Sequence, residues 1–203
     1  MRASVESGMK EDLTLEAWLE DAGPAGQWTY HFDQSIKVES TRAKVVLAAI
    51  YLDEILADFL SMILRPVSSK KDPLLDGPQA ALGTFSSKTE MAYRLGLVSE
   101  KTYDGINYVR RIRNKFAHNL DDCDFEDPSV KALTAKLLKL NDHASESTRT
   151  SFAPGPEGDF DMCVSWLVFW IRTTMEKYPT KCAKCGSDVP HVLEMQSKIP
   201  GSN

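Results

Sequence analysis

Apolar residues recur at intervals of three and four along most of the chain, and no stretch sustains a strict alternation of apolar and polar residues. The first spacing places apolar side chains on one face of an α-helix, whereas alternation would indicate a β-strand. The pattern therefore predicts an all-α protein whose helices pack as a bundle. The predicted helices cover residues 13–19, 36–64, 84–96, 100–118, 128–140 and 160–178.

Glycine, proline and small polar residues mark where these helices begin and end. The segment Gly23-Pro24-Ala25-Gly26 is predicted to end the first helix. Pro66 is predicted to end the second, because the residue before a proline avoids the helical region. Gly96 has the position of a left-handed C-terminal cap, and Ser99 and Asp127 have those of N-caps. Several such breakers predict irregular structure at 66–83 and 142–158.

The most apolar stretch lies at 160–178 and contains Trp166-Leu-Val-Phe-Trp170-Ile171. Its length favours a helix over a buried strand, and its composition predicts a helix that is covered on nearly all sides. Trp166 and Trp170 lie four positions apart, which favours packing or dimerisation over stacking on nucleic-acid bases. Since one small bundle rarely covers a helix completely, this stretch indicates a homodimer interface.

The composition is that of an ordinary globular protein of 203 residues, of which 42% are hydrophobic and 26% are charged. A formal charge of −5 argues against a broadly basic nucleic-acid binder but allows a local basic patch. No apolar run approaches the roughly 20 residues of a membrane span, and the first residues lack the apolar segment of a secretion signal. Four cysteines fit a reducing compartment, so we expect a cytoplasmic protein that does not enter a membrane.

The segment 108–118, Tyr-Val-Arg-Arg-Ile-Arg-Asn-Lys-Phe-Ala-His, concentrates cations in an otherwise acidic chain. On a helix, Asn114 and His118 lie one turn apart on the same face, and Arg113 is offset by one residue. These groups are sufficient for RNA cleavage without a metal, because an imidazole transfers protons, a guanidinium holds phosphate and an amide orients either partner. The neighbouring cations Arg110, Arg111 and Lys115 are predicted to bind RNA.

The same residues also have a purely structural interpretation, which the spacing alone favours. Arg113 can pair with a nearby acid, and His118 can cap a helix C-terminus, where positive charge is favoured. The acids Asp53 and Glu54 are adjacent and point about 100° apart on a helix. They are therefore interpreted as solvated surface or as an ion pair with Arg113, rather than as a catalytic pair.

Arg113-Asn114-Lys-Phe-Ala-His118 resembles the R-N-x-x-x-H signature of the HEPN superfamily. Further segments resemble the mannitol operon repressor family, which belongs to that superfamily. The resemblance covers roughly residues 36–140 and implies a HEPN-like bundle of four to six helices that dimerises through the helix with the motif. The further segments are Leu74-Leu75-Asp76-Gly77, Leu82-Gly83-Thr84-Phe85-Ser86-Ser87-Lys88, Ala92-Tyr93-Arg94-Leu95-Gly96-Leu97-Val98, and Tyr103.

The resemblance implies two different functions. In active members of the superfamily the motif forms a composite, metal-free ribonuclease site, which implies catalytic roles for Arg113, Asn114 and His118 and no required cofactor. Each copy supplies one imidazole, so a homodimer supplies both an acid and a base. The mannitol operon repressor family is described as transcriptional regulators. This implies a non-enzymatic protein that acts through protein partners, because no helix-turn-helix for reading DNA is visible.

Asn114 shifts the balance between these two functions. Some relatives of the repressor family carry an acidic residue at this position, which suggests that they have lost catalysis. This chain keeps the asparagine and therefore the complete trio. The resemblance thus favours a metal-independent endoribonuclease of toxin or defence-effector type that cuts single-stranded RNA.

Cys182-Ala-Lys-Cys185, near the end of the chain, is half of a zinc knuckle. A structural zinc needs four ligands, and the others would come from His191, Cys123 or Cys163, or from the same pair in a second chain. An exposed pair without a metal is the alternative interpretation. The helix pattern and the resemblance together divide the chain into an N-terminal helix and loop (1–30), a HEPN-like helical domain (31–178) and a C-terminal tail (179–203).

Overall fold

All regular secondary structure in the described residues is α-helical. The structure is a computed structural model, and it describes residues 23–65, 67–77, 79–118, 123–141 and 151–178. The all-α prediction is confirmed, because these ranges contain six α-helices and no β-strand. The helices are α1 (Gly23–Lys37), α2 (Thr41–Ile63), α3 (Phe85–Arg94), α4 (Glu100–His118), α5 (Pro128–Lys139) and α6 (Pro156–Lys177).

Short capping signals set most helix ends where the sequence predicts them. The Ser99 hydroxyl accepts a hydrogen bond from the backbone N–H of Thr102, and α4 begins at the next residue after Ser99. The Asp127 carboxylate accepts from the backbone N–H groups of Ser129 and Val130 at the start of α5. Gly96 follows α3 with a φ of +69°, which is the left-handed conformation that favours glycine. The side chains of Ser99 and Asp127 pair backbone N–H groups that have no partner within the helix, and Gly96 lets the chain turn away at the end of α3.

The prediction for the Gly23-Pro24-Ala25-Gly26 segment is wrong, because it begins α1 instead of ending a helix. Proline has no N–H to lose in a first helical turn, and Ala25 and Gly26 are buried there. The predicted helix at 13–19 lies outside the described residues. Helix α1 spans position 30 and contacts α2 and α6.

Two other predicted boundaries are also too generous. The helix expected over 36–64 is interrupted, since α1 ends at Lys37 and the Ser40 hydroxyl caps a new helix by accepting from the N–H of Ala43. The loop expected over 142–158 extends too far, since α6 begins at Pro156. The irregular structure expected over 66–83 is confirmed for residues 67–77 and 79–83, which form turns and bends.

The core lies among α2, α4 and α6, which contact one another, while α1, α3 and α5 pack around them. Tilted aromatic rings in contact connect two of the central helices, because Phe125 lies 5.3 Å from Phe116 of α4 and 5.1 Å from Phe160 of α6, centroid to centroid. Truncation of a buried phenylalanine costs about 3–5 kcal/mol, so these rings fix how α4 sits on α6. The largest fully buried side chains include Leu52, Ile55, Phe59, Ile106, Ile112, Phe116, Phe160 and Ile171.

Helix α6 is less completely covered than the sequence predicts. Its inner face is buried, but within one copy of the chain Trp166 and Phe169 are half-buried and Trp170 is 47% exposed. The expected covering on nearly all sides is therefore wrong for a single copy. Among the described helices, α6 included, none combines the length and apolarity that crossing a lipid bilayer requires.

A partly buried ionic network joins α1, α2 and α6, and we call it the inner charge cluster. The Lys44 ammonium lies 2.8 Å from the Glu157 carboxylate and 2.9 Å from that of Asp161, and its side chain is only 10% exposed. The Ser165 hydroxyl donates to the Asp33 carboxylate. Burial raises the pKa of Asp33 to about 6, against the Ser165 hydrogen bond and the Lys37 charge, which lower it.

A second ion pair corrects the interpretation of Asp53. Its carboxylate lies 2.8 Å from the Lys88 ammonium of α3, and the Lys88 side chain is 9% exposed. The predicted pairing of this acid with Arg113 is therefore wrong. Asp53 instead ties α3 to α2.

Candidate functional site

The polar face of α4 follows from the spacing of its apolar residues, which recur every three or four positions. Apolar residues recur along this helix and are fully buried against the neighbouring helices, so the opposite face is left to polar side chains. On that face, Arg111, Asn114, Lys115 and His118 are spaced by three, one and three residues, which aligns them within two turns. The buried residues that create this alignment are Ile106, Val109, Ile112 and Phe116.

A groove of about 580 Å³ runs between this face of α4 and α5. We call it the cationic groove. Its described lining contains one amide, one imidazole and three positively charged side chains, and no carboxylate is among these described residues. The nearby Asp127 carboxylate is held by the Ser129 hydroxyl and backbone N–H at the start of α5. The lining residues are Arg111, Asn114, Lys115 and His118 from α4, and Ser129, Leu133 and Lys136 from α5.

Arg113 does not line the cationic groove, but it is connected to it. Its side chain is half-buried on the neighbouring flank of α4, and its Nη1 donates a hydrogen bond of 3.1 Å to Oδ1 of Asn114. No carboxylate of the described residues forms an ion pair with Arg113, so the structural alternative of a nearby acid has no partner there. The structure thus brings Arg113 to Asn114, and Asn114 and His118 to one groove.

Arg110 lies away from the groove, unlike the other two predicted RNA-binding cations. Its guanidinium donates to the Ser86 hydroxyl of α3 at 2.8 Å and to Oδ1 of Asn107 at 3.1 Å. Arg110 therefore joins α3 to α4. Arg111 and Lys115, in contrast, are exposed and line the groove.

The end of α4 is fastened from α2. Nη1 of Arg42 donates a 2.6 Å hydrogen bond to the backbone carbonyl of Phe116. The last four carbonyls of a helix lack helical partners, so this bond stabilises the turn that carries His118. His118 is the last helical residue and is exposed, a position that also fits the predicted capping role, since positive charge is favoured at a helix C-terminus.

Two contributions to this site are not predicted from the sequence. Lys136 completes the cationic groove from α5, and Arg42 fastens α4 from a position 74 residues earlier in the chain. Lys136 shares a helix face with Ser129 and Leu133 by spacing, but only the packing of α5 on α4 turns that face toward His118. No local signal marks Arg42, because its partner is a backbone carbonyl.

The predicted zinc ligands Cys182, Cys185 and His191 lie outside the described residues. Of the other two suggested ligands, Cys163 is buried on α6 and Cys123 is half-buried before α5. Burial raises the pKa of the Cys123 thiol, with a contribution from the Asp127 charge. The part of the chain that the structure describes holds no group of three or more side chains suited to a metal ion.

Comparison with known proteins leaves the family of the chain open. The chain matches no protein-family model, no curated protein and no solved structure. The geometry of the cationic groove therefore carries the functional argument, together with the resemblance of its motif.

Proposed function

We propose that the protein is a metal-independent endoribonuclease of the HEPN type and that the cationic groove is its active site. One observation supports this above all: Asn114 and His118 line the same groove as three cations, while Arg113 donates a hydrogen bond to Asn114 from beside it. Three positive charges in the described lining of the groove suit the phosphates of a nucleic-acid strand. They also answer the objection raised by the formal charge of −5.

The proposed reaction is an internal transfer within the RNA chain. A general base takes the proton of a ribose 2′-hydroxyl, whose oxygen attacks the adjacent phosphorus. As the new P–O bond forms, the bond from phosphorus to the 5′ oxygen breaks, and a general acid gives that oxygen a proton. The products are a 2′,3′-cyclic phosphate and a free 5′-hydroxyl, so atoms and protons balance without a metal or cofactor.

The three motif residues, Arg113, Asn114 and His118, each have a role in this scheme. The His118 imidazole transfers protons, since histidine changes charge near neutral pH. Asn114 orients the phosphate or the attacking hydroxyl. Arg113, from beside the groove, holds Asn114 through its hydrogen bond and stabilises the negative charge that develops on the non-bridging phosphate oxygens. Among the described residues, one copy offers one imidazole in the groove, so we assign the acid and the base to the His118 residues of two copies in a homodimer.

A non-enzymatic regulator that acts through a protein partner is the second candidate. It is favoured by the outer face of α2, where Leu47 is 38% exposed and Ile50 is 45% exposed. These residues lie three positions apart on one helix, and exposed neighbouring apolar side chains are typical of protein-binding surfaces. On this interpretation the cationic groove binds an acidic partner and cuts nothing.

RNA cleavage in EDTA separates the two candidates. Purified protein is expected to cut single-stranded RNA, and His118→Ala is expected to lower the rate by about 10²–10⁴-fold, the usual contribution of a general acid or base. His31→Ala is the matched control, because His31 is exposed on α1 and does not line the groove. Equal cleavage by the wild type and both variants would refute the active-site assignment.

The dimer is tested by mixing. An excess of the His118→Ala protein should inhibit a small amount of wild type, because mixed dimers would hold a single imidazole. An excess of His31→Ala should leave the rate unchanged or raise it. Undiminished cleavage in the presence of the His118→Ala protein would show that one copy is sufficient.

A further inference from the structure

A second groove lies at the opposite end of α4 from the cationic groove. It has a volume of about 460 Å³ and lies between the start of α4, the end of α5 and the outer face of α6. Sites of roughly 300–1,000 Å³ with mainly apolar walls are typical of small-molecule binding. The apolar side chains that line this groove are Leu97, Val98, Leu140, Trp166, Leu167, Trp170 and Ile171.

One wall of the groove belongs to an aromatic cluster whose rings hold one another in place. The Trp166 and Trp170 rings are stacked with centroids 6.2 Å apart and an angle of 22°. Phe169 packs against both in edge contacts, at 5.8 Å and 5.7 Å. Because Trp170 is 47% exposed yet fixed by its neighbours, a flat ligand can cover it without first ordering it.

Positive charge collects at one end of the same groove. Lys177, the last residue of α6, is exposed and lines the groove. The amino end of α4 adds partial positive charge, whereas the carboxyl ends of α5 and α6, which also border the groove, add partial negative charge. The full charge of Lys177 therefore determines where an anion is held. Among the lining residues that the structure describes, none is acidic, so their side chains do not repel an anionic group.

We propose that this groove binds a small aromatic anion. The flat ring lies against Trp170, and the negative group points toward Lys177 and the start of α4. Aromatic carboxylates, aromatic sulfonates and nucleoside monophosphates share this chemistry. The site is separate from the cationic groove, and its occupancy is measured without RNA cleavage.

The probe is 1-anilinonaphthalene-8-sulfonate, a flat aromatic anion whose fluorescence rises in apolar surroundings. The full chain is expected to bind it saturably, with energy transfer from tryptophan, and Trp170→Ala is expected to weaken binding by about tenfold through loss of the stacking surface. Lys177→Glu should weaken binding several-fold, with the difference shrinking at high salt. Far-UV circular dichroism establishes that each variant keeps its helical content.

Matched controls come from similar residues elsewhere on the surface. Trp28→Ala removes a tryptophan that is 49% exposed on α1, and Lys71→Glu reverses an exposed charge in the segment between α2 and α3. Both should bind the probe as the wild type does. Equal affinity of Trp170→Ala and Lys177→Glu with the wild type would overturn the proposal.

Competition identifies the ligand class. Salicylate and adenosine monophosphate carry a ring and a negative charge, and displacement by either supports the proposal and shows which kind of ring is preferred. Phenol and adenosine lack the charge and should displace the probe much less. Equal displacement by the neutral compounds would overturn the proposal, and so would loss of probe binding as protein concentration rises, since a second copy would then cover Trp170.

Discussion

The inner charge cluster and the cationic groove use similar side chains in opposite ways. In the cluster, the Lys44 ammonium lies within 2.9 Å of two carboxylates and is removed from solvent. In the groove, Arg111 and Lys115 are exposed, and none of the lining residues that the structure describes carries a carboxylate. The first arrangement completes its ionic contacts inside the protein, whereas the second leaves them available to a ligand.

This difference separates stability from function. A buried ion pair leaves a costly unpaired charge when one partner is removed, whereas an exposed charge changes stability little. Variants of the inner charge cluster should therefore act on folding, and variants of the cationic groove should act on RNA. The predictions below test that separation, beginning with the largest expected effect.

Lys44→Ala should lower the free energy of unfolding by about 3–5 kcal/mol, because it leaves the Asp161 carboxylate without its cation in a site that is 16% exposed. Urea unfolding followed by circular dichroism measures the change. Lys136→Ala removes a lysine from the cationic groove and should change the same quantity by less than about 0.5 kcal/mol. Comparable losses in both variants would mean that the two regions do not differ as described.

Asp33→Asn should raise stability above pH 6. The native pKa of Asp33 is about 6 and the ordinary value is 3.8, so between these pH values the folded state holds a proton that the unfolded state releases. Stability therefore falls as pH rises through this window and stays lower above it. The asparagine variant escapes this loss and should be more stable at pH 7.5 by up to about 3 kcal/mol, with no difference below pH 4.

Urea unfolding between pH 4 and pH 8 measures this difference. Glu54→Gln is the control, because Glu54 is exposed on α2 and its neutralisation should not alter the pH profile. Burial also raises the pKa of Asp161, against the hydrogen bond and charge of Lys44, so part of the slope should persist in Asp33→Asn. A parallel pH profile for Asp33→Asn and the wild type would contradict the burial of this carboxylate.

Lys115→Ala and Lys136→Ala should each weaken RNA binding several-fold. Each should also reduce the slope of log affinity against log salt by about 1, because each cation displaces about one counterion from the phosphates. The measurement is filter binding at several salt concentrations in the His118→Ala background, which keeps the RNA intact. Lys139→Ala, an exposed lysine of α5 outside the groove, should match its parent.

His118→Ala should change the free energy of unfolding by less than about 0.5 kcal/mol, as Lys136→Ala does, despite the loss of cleavage. The His118 side chain is exposed at the end of α4, so its removal leaves no cavity in the core. Thermal unfolding of the variant used in the cleavage assay provides the measurement. A lower melting temperature without any effect on RNA would assign His118 the capping role alone.

Local signals explain what the sequence can predict. The polar caps of α4 and α5, the turn at Gly96 and the shared face of Asn114 and His118 all depend on residues within a few positions of one another. Lys44 finds its carboxylates 113 and 117 residues away, and no pattern near Lys44 marks them. The groove likewise needed α5, whose Lys136 comes near His118 only through packing.

The failed boundary at Gly23–Gly26 has the same cause. Glycine and proline favour a break locally, but burial of Ala25 and Gly26 in the bundle makes a helical start more favourable. The motif that resembles the HEPN signature depends on order along one helix, so its alignment on α4 could be predicted. The partner that would complete a composite site is a second chain, which a single sequence does not describe.

The first turn of α2 reaches in two directions. Arg42 donates a hydrogen bond to the backbone carbonyl of Phe116, two residues before His118. Two positions after Arg42, Lys44 forms ion pairs with Glu157 and Asp161 of α6. The same short piece of backbone is therefore a mechanical link from the interior to the edge where RNA would be cut. Removing the Lys44 ion pairs would let the C-terminal end of α4 move. A variant that first lowers stability would then also displace the His118 imidazole.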